Sequence, residues 1–190
     1  MEDYEHFYNF IKTLKETGVK TFIIHARKAM LGKFTPKQNL NIPPLKYGYV
    51  YKLKQDFKDL EIIINGGVTS VKEVKDHLDK VDGAMIGRSV YHSPYLLADI
   101  EKEIFNNHDI KEREEIVEEL IDYVKAQVQM GTRVNQVMRH TLGLFHGQTG
   151  SSYWKRYLSE NMCVRDADIQ KVNHIMDQIK NNITTSSLGT

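Results

Sequence analysis

Residues 61–88 read EIIINGGVTSVKEVKDHLDKVDGAMIGR, two short apolar runs that each end in a glycine turn, Asn65-Gly66-Gly67 and Gly87-Arg88, with a capped helix between them. The run Ile62, Ile63, Ile64 has the continuous apolar character of a parallel strand buried on both faces. Two glycines at once after it bring bare backbone to the carboxyl end of that strand, where an anion can approach the main chain closely. About twenty residues later Ala84, Met85 and Ile86 repeat the pattern, and Arg88 adds a guanidinium fork matched to a phosphate. Paired turns of this kind follow the last two strands of a β/α barrel, where phosphates commonly sit. Between them, Ser70 with Glu73 forms a capping-box signature that predicts a helix from Ser70 to Leu78.

Working outward, Tyr4 to Glu16 has helical spacing and stops at Gly18, and Thr21 to His25 is a β-branched and aromatic strand. Asn39 to Pro44 reads as a proline-punctuated loop within a long connection from Met30 to Tyr47, and Leu45 to Phe57 as a helix. Ser93-Pro94 carries the signature of a helix start. After that point no strand is expected. Lys111 to Gln129, Arg133 to Phe145, Ser152 to Glu160 and Asp166 to Asn181 read as helices of a separate bundle, and Thr184 to Thr190 as a disordered tail. The expected division is therefore an α/β part over 1–108, a helical domain over 109–183 and the tail 184–190. Three parallel strands do not close a barrel, which takes eight strands and about 250 residues. The expectation is a partial TIM (β/α)8 barrel, its carboxyl-terminal part only, in a truncated or split protein; a compact three-stranded sheet covered by its own helices is the alternative.

Composition narrows the function classes. The 190 residues are 41% hydrophobic with a formal net charge of +1, contain a single cysteine, Cys163, and have no signal-peptide or membrane-span pattern. A cytoplasmic protein without disulfides or a cysteine-based metal site is expected. His140 and His146 lack the spacing of a helical metal pair, so no metal is assigned. The small net charge conceals segregation: Lys20 to Lys58 holds nine Lys and Arg against the acid Asp56, Ile100 to Met130 is acidic, and Gly131 to Arg165 is basic again. Two basic regions suit a polyanion, and equally they suit solvated faces. The strand Phe22-Ile23-Ile24 delivers His25, Arg27 and Lys28 at its carboxyl end, a functional position in a barrel, although a core histidine satisfied by neighbours is the plain alternative. Tyr91, Tyr95, Tyr153 and Trp154 are aromatics that could stack bases but whose first reading is packing.

Several motifs in order now resemble one family. His25-Ala26-Arg27-Lys28-Ala29, Ile42-Pro43-Pro44-Leu45, Ile64-Asn65-Gly66-Gly67, Asp82-Gly83, Met85-Ile86-Gly87-Arg88, Arg139-His140 with Leu142-Gly143-Leu144-Phe145, and Trp154 through Asn161 are similar to the tRNA-dihydrouridine synthases of the A-type subfamily. That resemblance spans about Tyr4 to the last helix. It implies an FMN-holding β/α barrel followed by a helical tRNA-binding domain, and an oxidoreductase that reduces the C5=C6 bond of particular tRNA uridines with NADPH as reductant. By the same resemblance Asn65, Gly66, Gly67, Gly87 and Arg88 would hold the FMN phosphate and His25 would lie beside the flavin or the uracil. Arg27, Lys28, Lys37, Lys155 and Arg156 would meet the tRNA, with Lys28 equally open to a solvated reading. The family's catalytic cysteine belongs to the barrel's first half, so no residue of this chain is assigned a catalytic role, Cys163 reads as a packing residue, and the chain alone is expected to be inactive. A noncatalytic tRNA-binding remnant and a piece of another FMN-dependent barrel are the competing functions.

Overall fold

The computed structural model describes residues 2–30, 32–148 and 151–161. Contacts divide the chain into two compact units, residues 1–87 and 88–190.

The first unit is a βα repeat. Helix α1 (Glu2–Glu16) leads into β1 (Thr21–His25), and a long connection holding the short α2 (Pro36–Asn39) leads to α3 (Tyr47–Asp56). Then follow β2 (Glu61–Asn65), α4 (Val71–Leu78) and β3 (Gly83–Met85). The sheet is parallel in the order β1-β2-β3, with Phe22 beside Ile62, Ile24 beside Ile64 beside Ala84, and His25 beside Asn65 beside Met85.

Because side chains alternate across a strand, this register separates two faces. Phe22, Ile62 and Ile64 are buried among Ile11 of α1, Val50 and Leu53 of α3, and Phe57, Leu60 and Val81. Thr21, Ile23 and His25 lie on the opposite face with Glu61, Ile63 and Asn65. There Ile23 is 53% and Met85 38% exposed. The expectation that the isoleucine run is buried on both faces is therefore corrected: Ile62 and Ile64 are fully buried and Ile63 only partly. Among the described residues no helix of this unit's core cluster covers the second face, where a Cβ on Gly83 would stand 3.1 Å from Cγ1 of the neighbouring Ile63.

Ser70 caps α4 as its sequence predicts, with its hydroxyl accepting from the Glu73 amide while the Glu73 carboxylate accepts from Thr69 and Ser70. Those bonds, led by the one from the Thr69 amide, hold the Glu73 carboxyl below its usual range.

The second unit is helical: α5 (Arg88–His92), α6 (Leu96–Ile104), α7 (Arg113–Gln129), α8 (Val134–Met138) and α9 (Ser151–Asn161). Its core is Val117, Ile121 and Val124 of α7 against Val134 and Met138 of α8, Leu144 and Phe145 of the following turns, and Trp154 and Leu158 of α9. Helix α6 ends where Asn106 takes a left-handed conformation, φ +54°.

Two sequence expectations are revised here. Ser93-Pro94 does not open a helix; α6 starts after Tyr95, and Arg88–His92 is a short helix of its own. The helix predicted over Arg133 to Phe145 ends at Met138. Beyond it the backbone closes i→i+3 turns at Thr141, Leu144 and His146, and side chains take carbonyls a helix would use: Thr141 Oγ1 donates to Met138, Trp154 Nε1 to Thr141 and Arg113 Nε to Leu144. Gly143 lies so close to the His92 carbonyl that a Cβ there would overlap it. Cys163, the helix expected from Asp166 to Asn181 and the tail 184–190 lie outside the described residues.

Candidate functional site

The carboxyl edge of the sheet brings His25 and Asn65 together as register partners on adjacent parallel strands. Directly after Asn65, Gly66 and Gly67 have φ of +108° and +75°, a left-handed pair that side-chain-bearing residues rarely adopt. Space forbids a side chain as firmly as conformation does. A Cβ on Gly66 would stand 3.0 Å from Cε1 of His25, and one on Gly67 would stand 2.5 Å from Leu45 Cδ1 and 2.9 Å from the Tyr47 hydroxyl.

Three contacts fix this turn. The Ala26 amide donates to the Asn65 carbonyl at 2.8 Å, which continues β1 past His25. Tyr47 donates its hydroxyl to the Gly66 carbonyl at 2.7 Å from the start of α3. Behind it, the Tyr47 ring stands edge-on to the buried His77, whose Nδ1 shares a hydrogen bond of 2.8 Å with Tyr51. Burial raises the Tyr47 and Tyr51 hydroxyls, and burial also lowers His77, so all three groups are kept neutral at pH 7. The Tyr47 bond holds one carbonyl of the turn, and the two glycines leave its backbone without side chains. Such a turn beside an Asn amide and an imidazole fits a phosphate and the ring attached to it. None of Tyr47, Tyr51 and His77 was singled out from the sequence; the i, i+4 spacing of Tyr47 and Tyr51 was the available signal.

Arg27 is half-buried and bonds to its own loop. Its Nη1 donates to the Pro43 carbonyl and, at 3.4 Å, to that of Asn41, while its backbone bridges Leu45. The guanidinium thus ties down the connection after β1, whose own bonds include Lys46 N–H to Ala26 at 2.7 Å and a Thr35–Gln38 capping box. Lys28 and Lys46 converge on the two oxygens of Asp3, at 2.6 and 2.9 Å, and the hydrogen bond from Lys28 first, then that from Lys46, holds the Asp3 carboxyl at about 2. This trio rims a cavity of about 470 Å3 that also includes His6, His25 and Tyr49. Lys37 is exposed on α2.

The basic run of residues 20–58 is accordingly broken up: besides Arg27, Lys28 and Lys46, Lys54 pairs with Asp82 at 2.8 Å and Lys52 lies over the Tyr4 ring.

Gly87 closes the first unit and Arg88 opens the second. A side chain on Gly87 would meet open space, so nothing local demands glycine there. Lys155 and Arg156 are exposed on α9, opposite the buried Trp154 and Leu158. Of the aromatics, Trp154 packs on Phe145 and donates to Thr141, Tyr95 lies under the Arg113 guanidinium, and Tyr91 stays 54% exposed. Among the described residues no three His, Cys, Asp or Glu side chains gather as a metal site, and no helix is long and apolar enough to cross a membrane.

A family model described as dihydrouridine synthase matches residues 1–183. The tRNA-dihydrouridine(20/20a) synthase of Vibrio parahaemolyticus is 48% identical over 162 residues, covering 84% of this chain and 50% of that protein. Those of Shewanella oneidensis and Synechocystis sp. are each 40% identical, over 183 and 167 residues, covering 96% and 87% of this chain and 55% and 50% of their own. The chain spans about half the length of the curated relatives it matches.

Proposed function

The chain belongs to the dihydrouridine synthase family, and from that premise we propose that it is the carboxyl-terminal half of a flavin-dependent tRNA-dihydrouridine synthase of the A-type subfamily. It contributes three strands of a TIM barrel with their helices over 1–108 and a tRNA-binding helical domain over 109–183. The observation that carries this reading is the row His25–Asn65, set against the left-handed Gly66-Gly67 turn at the carboxyl edge of a parallel sheet. On this reading the face with Ile23, Ile63 and Met85 is the barrel interior.

FMN bound there would supply hydride to C6 of a uracil, with NADPH restoring the reduced flavin. This chain's share is to hold and orient. Asn65 and the backbone of Gly66 and Gly67, with Gly87 and Arg88, take the phosphate, and His25 lies beside the flavin or the uracil. Arg27 acts through the loop it anchors, keeping Lys28 and Lys37 where tRNA passes, and Lys155 and Arg156 meet the tRNA on the helical side. A uridine must leave its stack to reach such a site, at a few kcal/mol recovered from contacts with its neighbours. The proton for C5 comes from a cysteine in the other half of the barrel, so this chain alone reduces nothing. The (20/20a) in the relatives' names makes uridines 20 and 20a the proposed targets, and a tRNA substrate makes the cytoplasm the proposed location.

The test combines this chain with the amino-terminal half of the Vibrio parahaemolyticus relative and measures flavin absorbance and dihydrouridine in unmodified tRNA. A yellow complex that makes dihydrouridine, beside a lone chain that makes none, is expected. A colourless, stably folded complex that leaves tRNA unchanged sinks the reading.

A further inference from the structure

The helical unit holds a cavity of about 470 Å3, lined by Tyr91 and His92 of α5, Arg139 and His140 after α8, and His146 and Lys155. Among the described residues no acid lines it, although α7 of the same unit is rich in glutamate. Its size suits a ligand much larger than a bare anion. Two cations, Arg139 and Lys155, thus face one space together with three imidazoles, an arrangement that favours an anion.

The polar groups are ordered in a chain. Arg139 donates through Nε to Nε2 of His140 at 3.0 Å, and His140 Nδ1 lies 3.0 Å from the Tyr91 hydroxyl. Arginine can only donate, so Nε2 of His140 is the bare nitrogen, Nδ1 carries the hydrogen, and the Tyr91 oxygen accepts it. The hydroxyl hydrogen of Tyr91 is then not spent on His140. Arg139 likewise keeps its terminal amino groups, the part of the guanidinium that grips phosphate oxygens. Tyr91 is 54% exposed and stands edge-on to both His92 and His140. The walls are seated firmly, because Gly143 lies directly against the His92 carbonyl.

We propose that this cavity binds one unpaired nucleotide of RNA, its phosphate met by Arg139 and Lys155 and its base by the Tyr91 ring and the imidazoles beside it. A base inside a duplex has both faces covered, so only a splayed-out nucleotide can use such a wall. The inference rests on the tRNA-directed reading above and adds a second place, apart from the sheet edge, where the RNA is held.

Fluorescence anisotropy of the purified chain with a labelled single-stranded RNA pentanucleotide tests it, with a blunt RNA duplex and uridine 5′-monophosphate as separate arms. Losing one stacked base is worth roughly 1–3 kcal/mol, so Tyr91→Ala is expected to weaken the pentanucleotide by about 5- to 150-fold, while Tyr91→Phe keeps most of the affinity. Arg139→Gln and Lys155→Gln should each weaken binding and flatten its salt dependence. A 4-thiouridine in the pentanucleotide should cross-link to peptides containing residues 91–92 or 140–146. Unchanged affinity in a folded Tyr91→Ala chain, or cross-links confined elsewhere, overturns the proposal, as does tighter binding of the mononucleotide or the duplex. Failure of the tRNA-directed reading looks different: then tRNA and pentanucleotide both fail to bind, whereas failure of the cavity alone leaves tRNA binding intact in every variant.

Discussion

The two units bury their cores in different ways. In the helical unit α7, α8 and α9 close around Met138, Val124 and Leu158 and leave each helix one apolar side, turned inward. In the sheet unit the described residues cover one face, and on the face carrying His25 and Asn65 Ile23 and Met85 are exposed. A closed core is complete in itself and a one-sided sheet is not, so the first can be a stable platform for binding while the second is a surface shaped for something to be placed on it.

The strongest way to break this comparison is to cut each core separately. Leu53→Ala in the first unit should cost about 2–5 kcal/mol and Trp154→Ala in the second about 3–5. Hydrogen exchange read unit by unit should show each loss confined to its own side, and a single cooperative collapse from either substitution would make the division meaningless. Next in size come the glycines. Gly143→Ala must push the His92 carbonyl aside and Gly67→Ala must displace Leu45 and Tyr47 at an unfavourable φ, each costing about 1–3 kcal/mol, while Gly87→Ala is near neutral. Thermal melts of the three variants would rank them. Ser70→Ala removes the α4 cap for about 1 kcal/mol, measurable by urea denaturation and confined to the first unit.

A smaller effect follows from pH. Burial holds His77 neutral and its folded pKa lies below the ordinary 6.5, so the unfolded chain takes up the proton first as pH falls. The stability associated with it is complete above about pH 6.5 and is lost on acidification through the lowered folded value. Protection factors in the sheet unit, corrected for the intrinsic pH dependence of exchange, should therefore fall between pH 7 and pH 5, and His77→Phe should flatten that slope. Smallest of all is Asp3→Asn: its ion pairs with Lys28 and Lys46 are exposed, so the melting temperature should barely move.

Local signals were legible where one residue decides one bond. Thr21 to His25 is a strand with the predicted limits, the isoleucine run lies within the strand Glu61–Asn65, and Ser70 with Glu73 makes the cap it spells. Reading failed where the outcome depends on distant partners. Nothing near Arg139 says that the helix must stop; the carbonyls beyond it are taken by Trp154 and Arg113, and the His92 backbone crowds Gly143. The isoleucine run, likewise, shows apolar character but not which side has a helix to cover it. At the site, the glycines and His25 announced themselves, whereas Tyr47 and His77 act from behind through contacts nineteen residues away and further. The bonds from Arg27 to the carbonyls of its own loop likewise have no local signal in the sequence.

The paired left-handed glycines have a stereochemical consequence. At φ +75° an L-alanine in place of Gly67 is opposed both by its backbone and by Leu45, whereas the mirror-image residue is relieved of the backbone objection, since D-amino acids favour positive φ and their methyl departs from the other face of Cα. Handedness as well as bulk therefore decides what the turn admits. A semisynthetic chain bearing D-alanine at position 67 separates the two, turning a conformational freedom that glycine leaves unused into a probe of what lies on the other face of the turn.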